Sequence, residues 1–399
     1  MNKNIGAMLL IAGCCIGAGM LGIPVVTGAS GFYPSTTLFV LAWAFMALCG
    51  LVLAEVVLSF DLPQVNLLTM TEKTLGLFGK VTASFLFMFL FYAIMTAYVI
   101  ASAILISDFS TLFFGTALPF HLTSSLFVFA IYVIIAKGLR HMDGFNRILM
   151  LGLVACYILL VGFSFSKVDT VRLERADWGT VIGALPILVI SFGFHNLVPT
   201  LATYLEKNEP ALKRAICFGS SIPLAIYILW EYIILGIIPY TGVDAWKEAQ
   251  GKGELISHVL AHSIGSPVII DLASGFTFFA IATSFLPVSF SFLDFLHDGL
   301  RQYKRTLSRP VLAAIVLLPP LICALCNAHL FLRALEIAGG FCAVLLFGTL
   351  PALMAWKRQN DPALSSRFTV GKKPVLVLIL LGSFFIVCVE IVHEFYAIL

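Results

Sequence analysis

The chain has 399 residues, 60% of them hydrophobic and 11% charged, with a mean hydropathy of +1.02. Soluble domains run at about 45–50% apolar and about 25% charged, so this is an integral membrane protein without room for a separate soluble domain. The formal charge of +3 is carried without a basic stripe, which excludes nucleic-acid binding; the nine cysteines lie in or beside apolar runs as small hydrophobes.

A membrane-spanning helix needs about 20 apolar residues. Eleven segments qualify, at roughly 5–27, 34–60, 82–108, 122–138, 145–166, 178–204, 212–238, 268–297, 310–326, 333–356 and 375–397. The first contains Gly13, Gly17, Gly19 and Gly22 within ten residues, followed by Pro24. Glycine leaves helical geometry cheaply, and non-helical backbone at membrane depth is tolerated only where it is buried in protein or lines a cavity. A broken helix is therefore a candidate binding site, with free N–H groups on one side and free C=O groups on the other. The segment has no A-x-A cleavage pattern and one basic flanking residue, Lys3, so a cleaved signal peptide is not expected here.

Further along, span two carries Glu55 near its inner end and span three carries Tyr92 and Tyr98. Span five has no lysine. Span six is interrupted by Ser191-Phe192-Gly193-Phe194-His195-Asn196 and then Pro199, a second break. Span eight holds Ala280, Thr283 and Ser284, with Asp294 toward its inner end. Glu231, Glu336 and Glu390 fall toward outer ends, where solvation is expected. No cluster has metal-ligand spacing and no nucleophile–base or H-E-x-x-H set is present, so neither a cofactor nor an enzyme is expected. Rings of charge that would line a channel are also missing.

With the N-terminus inside, eighteen of the 24 lysines and arginines fall on inner loops. The outer side has Lys167, Arg172, Arg175, Lys247, Lys252 and Arg333. This bias follows the positive-inside rule; it places 299–309 and 357–373 in the cytoplasm and 240–266 and the C-terminus outside. Breaks in spans one and six, five spans apart, make the two halves opposite in topology. The expected architecture is all-α: one transmembrane domain over 1–399, with inverted repeats at about 1–166 and 178–356 and an appended helix at about 375–397.

Gly17-Ala18-Gly19-Met20-Leu21, Ser191-Phe192-Gly193-Phe194-His195, and Thr283-Ser284-Phe285-Leu286 with Phe292-Leu293-Asp294-Phe295 resemble the hydroxy and aromatic amino acid permeases, the bacterial tyrosine and tryptophan transporters. The chain departs from their pattern at Pro287-Val288, where a glycine is expected after the leucine. The resemblance implies a leucine-transporter-like fold of the amino acid–polyamine–cation superfamily. It also implies a multi-pass monomer in a bacterial inner membrane, importing tyrosine or tryptophan by alternating access with protons as the driving ion.

Such a substrate is a zwitterion. Its carboxylate suits the positive N-terminus of a half-helix, which assigns it to Gly17, Ala18 and Gly19. Its ammonium needs acceptors, and the freed carbonyls of Cys14, Cys15, Ser191 and Phe192 are the natural choice. Gly193 leaves space for the side chain; Phe192 and Phe194 offer walls, and Tyr92 and Tyr98 cap the carboxylate or line the pocket. His195 bonds a substrate polar group, carries the proton, or holds the break as a neutral ring. Glu55 and Asp294 are the other proton-carrier candidates. Sodium remains the alternative ion: in the fold implied, Ala280, Thr283 and Ser284 face the carbonyls of Gly13 and Ile16 and bind it without a carboxylate. Exchange without any ion is a further alternative.

Overall fold

A computed structural model describes residues 3–60, 67–137, 139–241, 246–247, 256–302, 307–328, 330–361, 364 and 368–398. Some side chains within them, that of Ala18 included, lie outside the described residues, as do residues 242–245 and 248–255 of the expected outer loop 240–266. Among the described residues there are helices and no strands.

In chain order the helices that matter are α1 (Lys3–Cys15), α2 (Ala18–Thr27), α3 (Phe32–Leu58), α4 (Leu67–Phe114), α5 (Phe120–Lys137), α6 (Leu139–Phe165), α7 (Leu185–Ser191), α8 (Val198–Tyr204), α9 (Glu209–Ile237), α10 (Ile256–Ile264), α11 (Pro267–Gln302), α12 (Arg309–Cys326), α13 (Phe331–Ile337), α14 (Leu350–Arg358) and α15 (Lys373–Ile398). Between α13 and α14 the chain continues as two π-helical stretches, Ala338–Ala343 and Leu345–Thr349. Nine described helices are long and apolar enough to cross a membrane, or ten when the bent pair α1 and α2 counts as one. The segment expected at 122–138 is helical, but its apolar stretch, Phe120–Ala136, is shorter than a full span.

Glycine positions set the joints. Gly76, at φ 74°, bends the start of α4 away from its long apolar part. Gly31, at φ 84°, lies where a Cβ would fall 2.0 Å from the Arg175 carbonyl oxygen, so the α2–α3 link can pass the 170–180 segment only as glycine.

The packing brings the two broken segments to the centre. α1 lies on α9 and α2 on α7, while α3 is shared by α7, α8 and α9. The first π stretch packs on α7, and a Cβ at Gly339 would meet the Pro186 carbonyl oxygen at 1.8 Å. α11 packs along α6 and α4. Two buried apolar clusters result, one centred on α4, α7 and α11 and a smaller one joining α1, α3, α8 and α9. The breaks lie at their boundary.

Candidate functional site

α1 ends at Cys15 because Gly17 is extended, at φ −158° and ψ −156°, and the chain resumes as α2 from Ala18 after a 54° bend. That backbone is open to any residue, so glycine is required here by space. A Cβ on Gly17 would lie 2.0 Å from Ser284 Oγ and 3.1 Å from Ser284 Cβ. A Cβ on Gly19 would lie 2.8 Å from Ser191 Oγ. The start of α2 is thus wedged between α11 and the last turn of α7. No side chain caps α2 at Gly17, so its first N–H groups have no partner from their own helix.

The second break is tighter. α7 ends at Ser191, a 3₁₀ turn follows at His195–Leu197, and α8 opens with Pro199 in its first turn, where a missing N–H costs nothing. The Cys14 thiol lies 3.5 Å from the Gly193 carbonyl oxygen and joins the two breaks. Gly193 turns back on its own chain: a Cβ there would meet the Ile190 carbonyl oxygen at 2.8 Å.

A tyrosine on α9 ties both breaks together. The Tyr227 hydroxyl lies 2.6 Å from the Cys15 carbonyl oxygen and 2.9 Å from that of Ser191. One phenolic proton serves two helix-end carbonyls, and each carbonyl keeps a lone pair for another donor. The centre therefore combines two negative C-terminal ends, of α1 and α7, with the positive N-terminal end of α2. This arrangement complements a small zwitterion.

The structure brings some sequence-selected residues to this centre and places others elsewhere. Tyr98 is buried beside it, its hydroxyl bonded to Ser284 and facing Gly17. Tyr92 instead donates to the Ile315 carbonyl on α12 and packs edge-on to Phe292. Phe192 and Phe194 expose no surface to any void: Phe192 packs on Tyr227 and Phe194 on Gly50 and His195. In this state they are packing residues and form no open pocket wall.

His195 is buried, its Nε2 3.1 Å from the Met46 carbonyl oxygen, and stacked between Phe194 and Phe347 at 4.6 and 4.9 Å. This is the placement of a neutral ring bracing the break against α3 and the second π stretch. Glu55 is buried in a ring of donors. It pairs with Lys213 Nζ at 2.8 Å and accepts from the Thr369 hydroxyl and the backbone N–H groups of Thr369, Val370 and Gly371. Asp294 is exposed.

Of the residues considered for sodium, Thr283 donates back to the Phe279 and Ala280 carbonyls of its own helix, and Ser284 is engaged with Tyr98. Gly13 faces Met150 on α6, at 3.4 Å from a built Cβ, and the Ile16 N–H bonds the Ala12 carbonyl. Among the described residues no three His, Cys, Asp or Glu side chains could hold a metal.

Two corrections concern polar groups. The solvation expected for Glu231, Glu336 and Glu390 is absent, since they are 0%, 7% and 0% exposed. Position along a hydropathy profile gives depth, whereas neighbouring helices decide exposure. Tyr227 escaped selection because a tyrosine inside an apolar run carries little information alone. Tyr227 and Glu231 stand one helical turn apart on one face of α9, and that spacing was the available signal.

A family model described as the tryptophan/tyrosine permease family matches residues 1–390. The tyrosine-specific transport system 2 of Haemophilus influenzae is 30% identical over 96% of this chain and 94% of its own length. The tryptophan-specific transport protein of Pseudomonas aeruginosa is 28% identical over 94% and 91%. Among solved structures, MhsT in complex with L-phenylalanine matches with a TM-score of 0.67 and 17% identity, covering 97% of both chains, which is a likeness of fold. Broken central helices, an all-helical fold and a match over nearly the whole length agree, and the chain belongs to the tryptophan/tyrosine permease family.

Proposed function

We propose that this multi-pass membrane protein, a transporter and not an enzyme, imports an aromatic amino acid such as tyrosine or tryptophan by proton symport. The observation that carries the reading is the meeting of the uncapped start of α2 with the carbonyl ends of α1 and α7. The substrate carboxylate docks on the N–H groups at Gly17, Ala18 and Gly19. Its ammonium takes the remaining lone pairs of Cys15 and Ser191, with the carbonyls of Cys14 and Phe192 nearby. The side chain extends past Gly193 toward Tyr98; opening of the site in another state brings Phe192 and Phe194 to its edge. These contacts need no side-chain ion partner, as suits a net-neutral substrate.

The proposed topology has eleven spans, counting Phe120–Ala136, with repeats at about 1–166 and 178–356 and a further helix at about 375–397. The protein sits as a monomer in a bacterial inner membrane with its N-terminus in the cytoplasm. Aromatic selectivity is supported by the tyrosine and tryptophan transporters among its relatives. Sodium coupling through Gly13, Ile16, Ala280, Thr283 and Ser284 is the second reading, resting on the hydroxyl pattern of α11.

The test is uptake of labelled tyrosine and tryptophan into liposomes carrying the purified protein, with proton and sodium gradients imposed separately. Accumulation driven by the pH gradient alone is expected. Accumulation that follows sodium and ignores pH overturns the proton assignment, and failure of both amino acids to show counterflow overturns the substrate class.

A further inference from the structure

Glu231 is fully buried on α9, and the hydroxyl protons around it are already engaged. Thr27 Oγ1 lies 2.7 Å from the Ile23 carbonyl oxygen and 2.6 Å from Glu231 Oε1. A hydroxyl has one proton. If the carboxyl is ionised, Ile23 O and Oε1 compete for that proton, and one of two oxygen contacts at hydrogen-bond distance has no hydrogen in it. The other hydroxyl at the carboxyl, that of Ser35, is likewise shared, since it lies 2.6 Å from the Gly31 carbonyl oxygen. Oε2 has no hydrogen-bond partner among the described residues. A protonated Oε1 resolves the count: Glu231 donates to Thr27, and Thr27 donates to Ile23.

Among the described residues, the charged groups on the elements packed around α9 do not offset a carboxylate here. α2 and α8 contain none. Lys3 of α1 pairs with Glu206, and Glu55 of α3 pairs with Lys213 of α9 itself; Glu209 joins that same lysine, and Arg214 bonds the Pro210 carbonyl. In the 169–175 segment Asp169 pairs with Arg172, which also donates to the Ile237 carbonyl, Glu174 is exposed, and Arg175 donates to the Gly28 and Ala29 carbonyls. α6 carries Arg140, His141, Asp143 and Arg147, and α10 carries His258 and His262, whose side chains lie outside the described residues. An isolated buried carboxylate is strongly disfavoured and takes up a proton instead.

We infer that Glu231 is a neutral acid in this state and is the group that binds and releases the coupled proton; the inference rests on the symport reading above. Its O–H bond forms with a proton from the outer aqueous phase as α2 closes on α9. It breaks to water on the inner side once that contact opens, so one proton crosses with one substrate. The linkage runs through α2, which holds the substrate carboxylate at its start and Glu231 at its end, through Thr27. Loss of the proton sets Glu231, Thr27 and Ile23 oxygens against one another and loosens α2.

The test compares wild type with Glu231→Gln, an uncharged mimic of the acid, in liposomes supplied with labelled tyrosine. One proton per substrate and a gradient of one pH unit give about tenfold accumulation in wild type. Glu231→Gln is expected to keep tyrosine counterflow and to lose accumulation altogether. Accumulation by Glu231→Gln equal to wild type overturns the inference and leaves proton symport standing. A wild type that ignores the pH gradient removes the symport reading and the inference with it. Should Glu231→Gln also lose counterflow, the infrared carbonyl band of a protonated carboxyl decides. A tyrosine-dependent band that shifts in Glu231→Asp supports the inference, and a spectrum unchanged in that variant overturns it.

Discussion

Glu55 and Glu231 are buried carboxyl groups on the neighbouring helices α3 and α9, and they differ in their supply of donors. Glu55 receives a lysine, a hydroxyl and three backbone N–H groups. Glu231 has two hydroxyls, those of Thr27 and Ser35, and each is shared with a helix carbonyl. The same scarcity holds at the breaks, where one Tyr227 proton faces two carbonyls. A region saturated with donors holds its shape without help. A region short of donors is open to completion by what arrives, which under the function proposed above is the three N–H groups of an ammonium and one proton. The contrast separates the clamp from the working centre.

The largest expected effect is on the clamp. Glu55→Gln leaves Lys213 without its buried partner and weakens the anchoring of 369–371. Breaking a buried pair costs about 3–5 kcal/mol. The low end applies, since Lys213 keeps Glu209 at 2.7 Å and is 21% exposed. Thermal unfolding in detergent should show that loss, with Glu231→Gln unfolding near wild type. Equal losses in the two variants would erase the distinction.

Close packing holds the centre, where ion pairs hold the clamp. Gly17→Ala puts a methyl 2.0 Å from Ser284 Oγ, and overpacking of that kind costs about 1–3 kcal/mol. Transport should be lost, and Ser284→Gly in the same background should recover part of it. No recovery would mean that the methyl acts by covering the α2 N–H groups and not by displacing α11.

Tyr227→Phe removes the only side-chain donor that Cys15 and Ser191 share among the described residues. Leaving a buried carbonyl unsatisfied costs about 1–3 kcal/mol, so the substrate-free variant should melt earlier. If the substrate ammonium bonds those carbonyls, tyrosine should stabilise Tyr227→Phe by more than it stabilises wild type. A ligand-induced shift no larger than that of wild type would remove the ammonium from this position.

Much of the helical plan was legible because apolar length and glycine spacing are local properties. The break at Gly17, the start of α2 and the interruption after Ser191 follow from residues within a few positions of each. What was not legible depends on partners far along the chain. Glu55 reads as a proton carrier until Lys213 and Thr369–Gly371 close around it. Phe194 reads as a pocket wall until Gly50 receives its ring. Glu231 reads as solvated until α2 and α3 cover it. A polar residue in a membrane helix announces its depth in the sequence; its donors come from other helices.

The smallest effect is expected at Thr283, and it bears on the ion. Its hydroxyl returns to the Phe279 and Ala280 carbonyls, and such back-bonding adds little to a helix. Thr283→Val keeps the branched shape and removes only the hydroxyl, and since the Phe279 and Ala280 carbonyls stay within the helix the change is expected to cost about 0.5–1 kcal/mol. Tyrosine accumulation under a pH gradient should then match wild type. The outcome discriminates because a sodium ion at Ala280, Thr283 and Ser284 would have to draw that hydroxyl oxygen into its shell, and valine offers none. Ser284 is the poorer probe, since its hydroxyl bonds Tyr98 and touches Gly17, so its loss disturbs packing whatever the ion. Uptake that survives Thr283→Val and falls with Glu231→Gln places the donor shortage at Glu231 on the path of the ion; the reverse pattern moves the ion to α11.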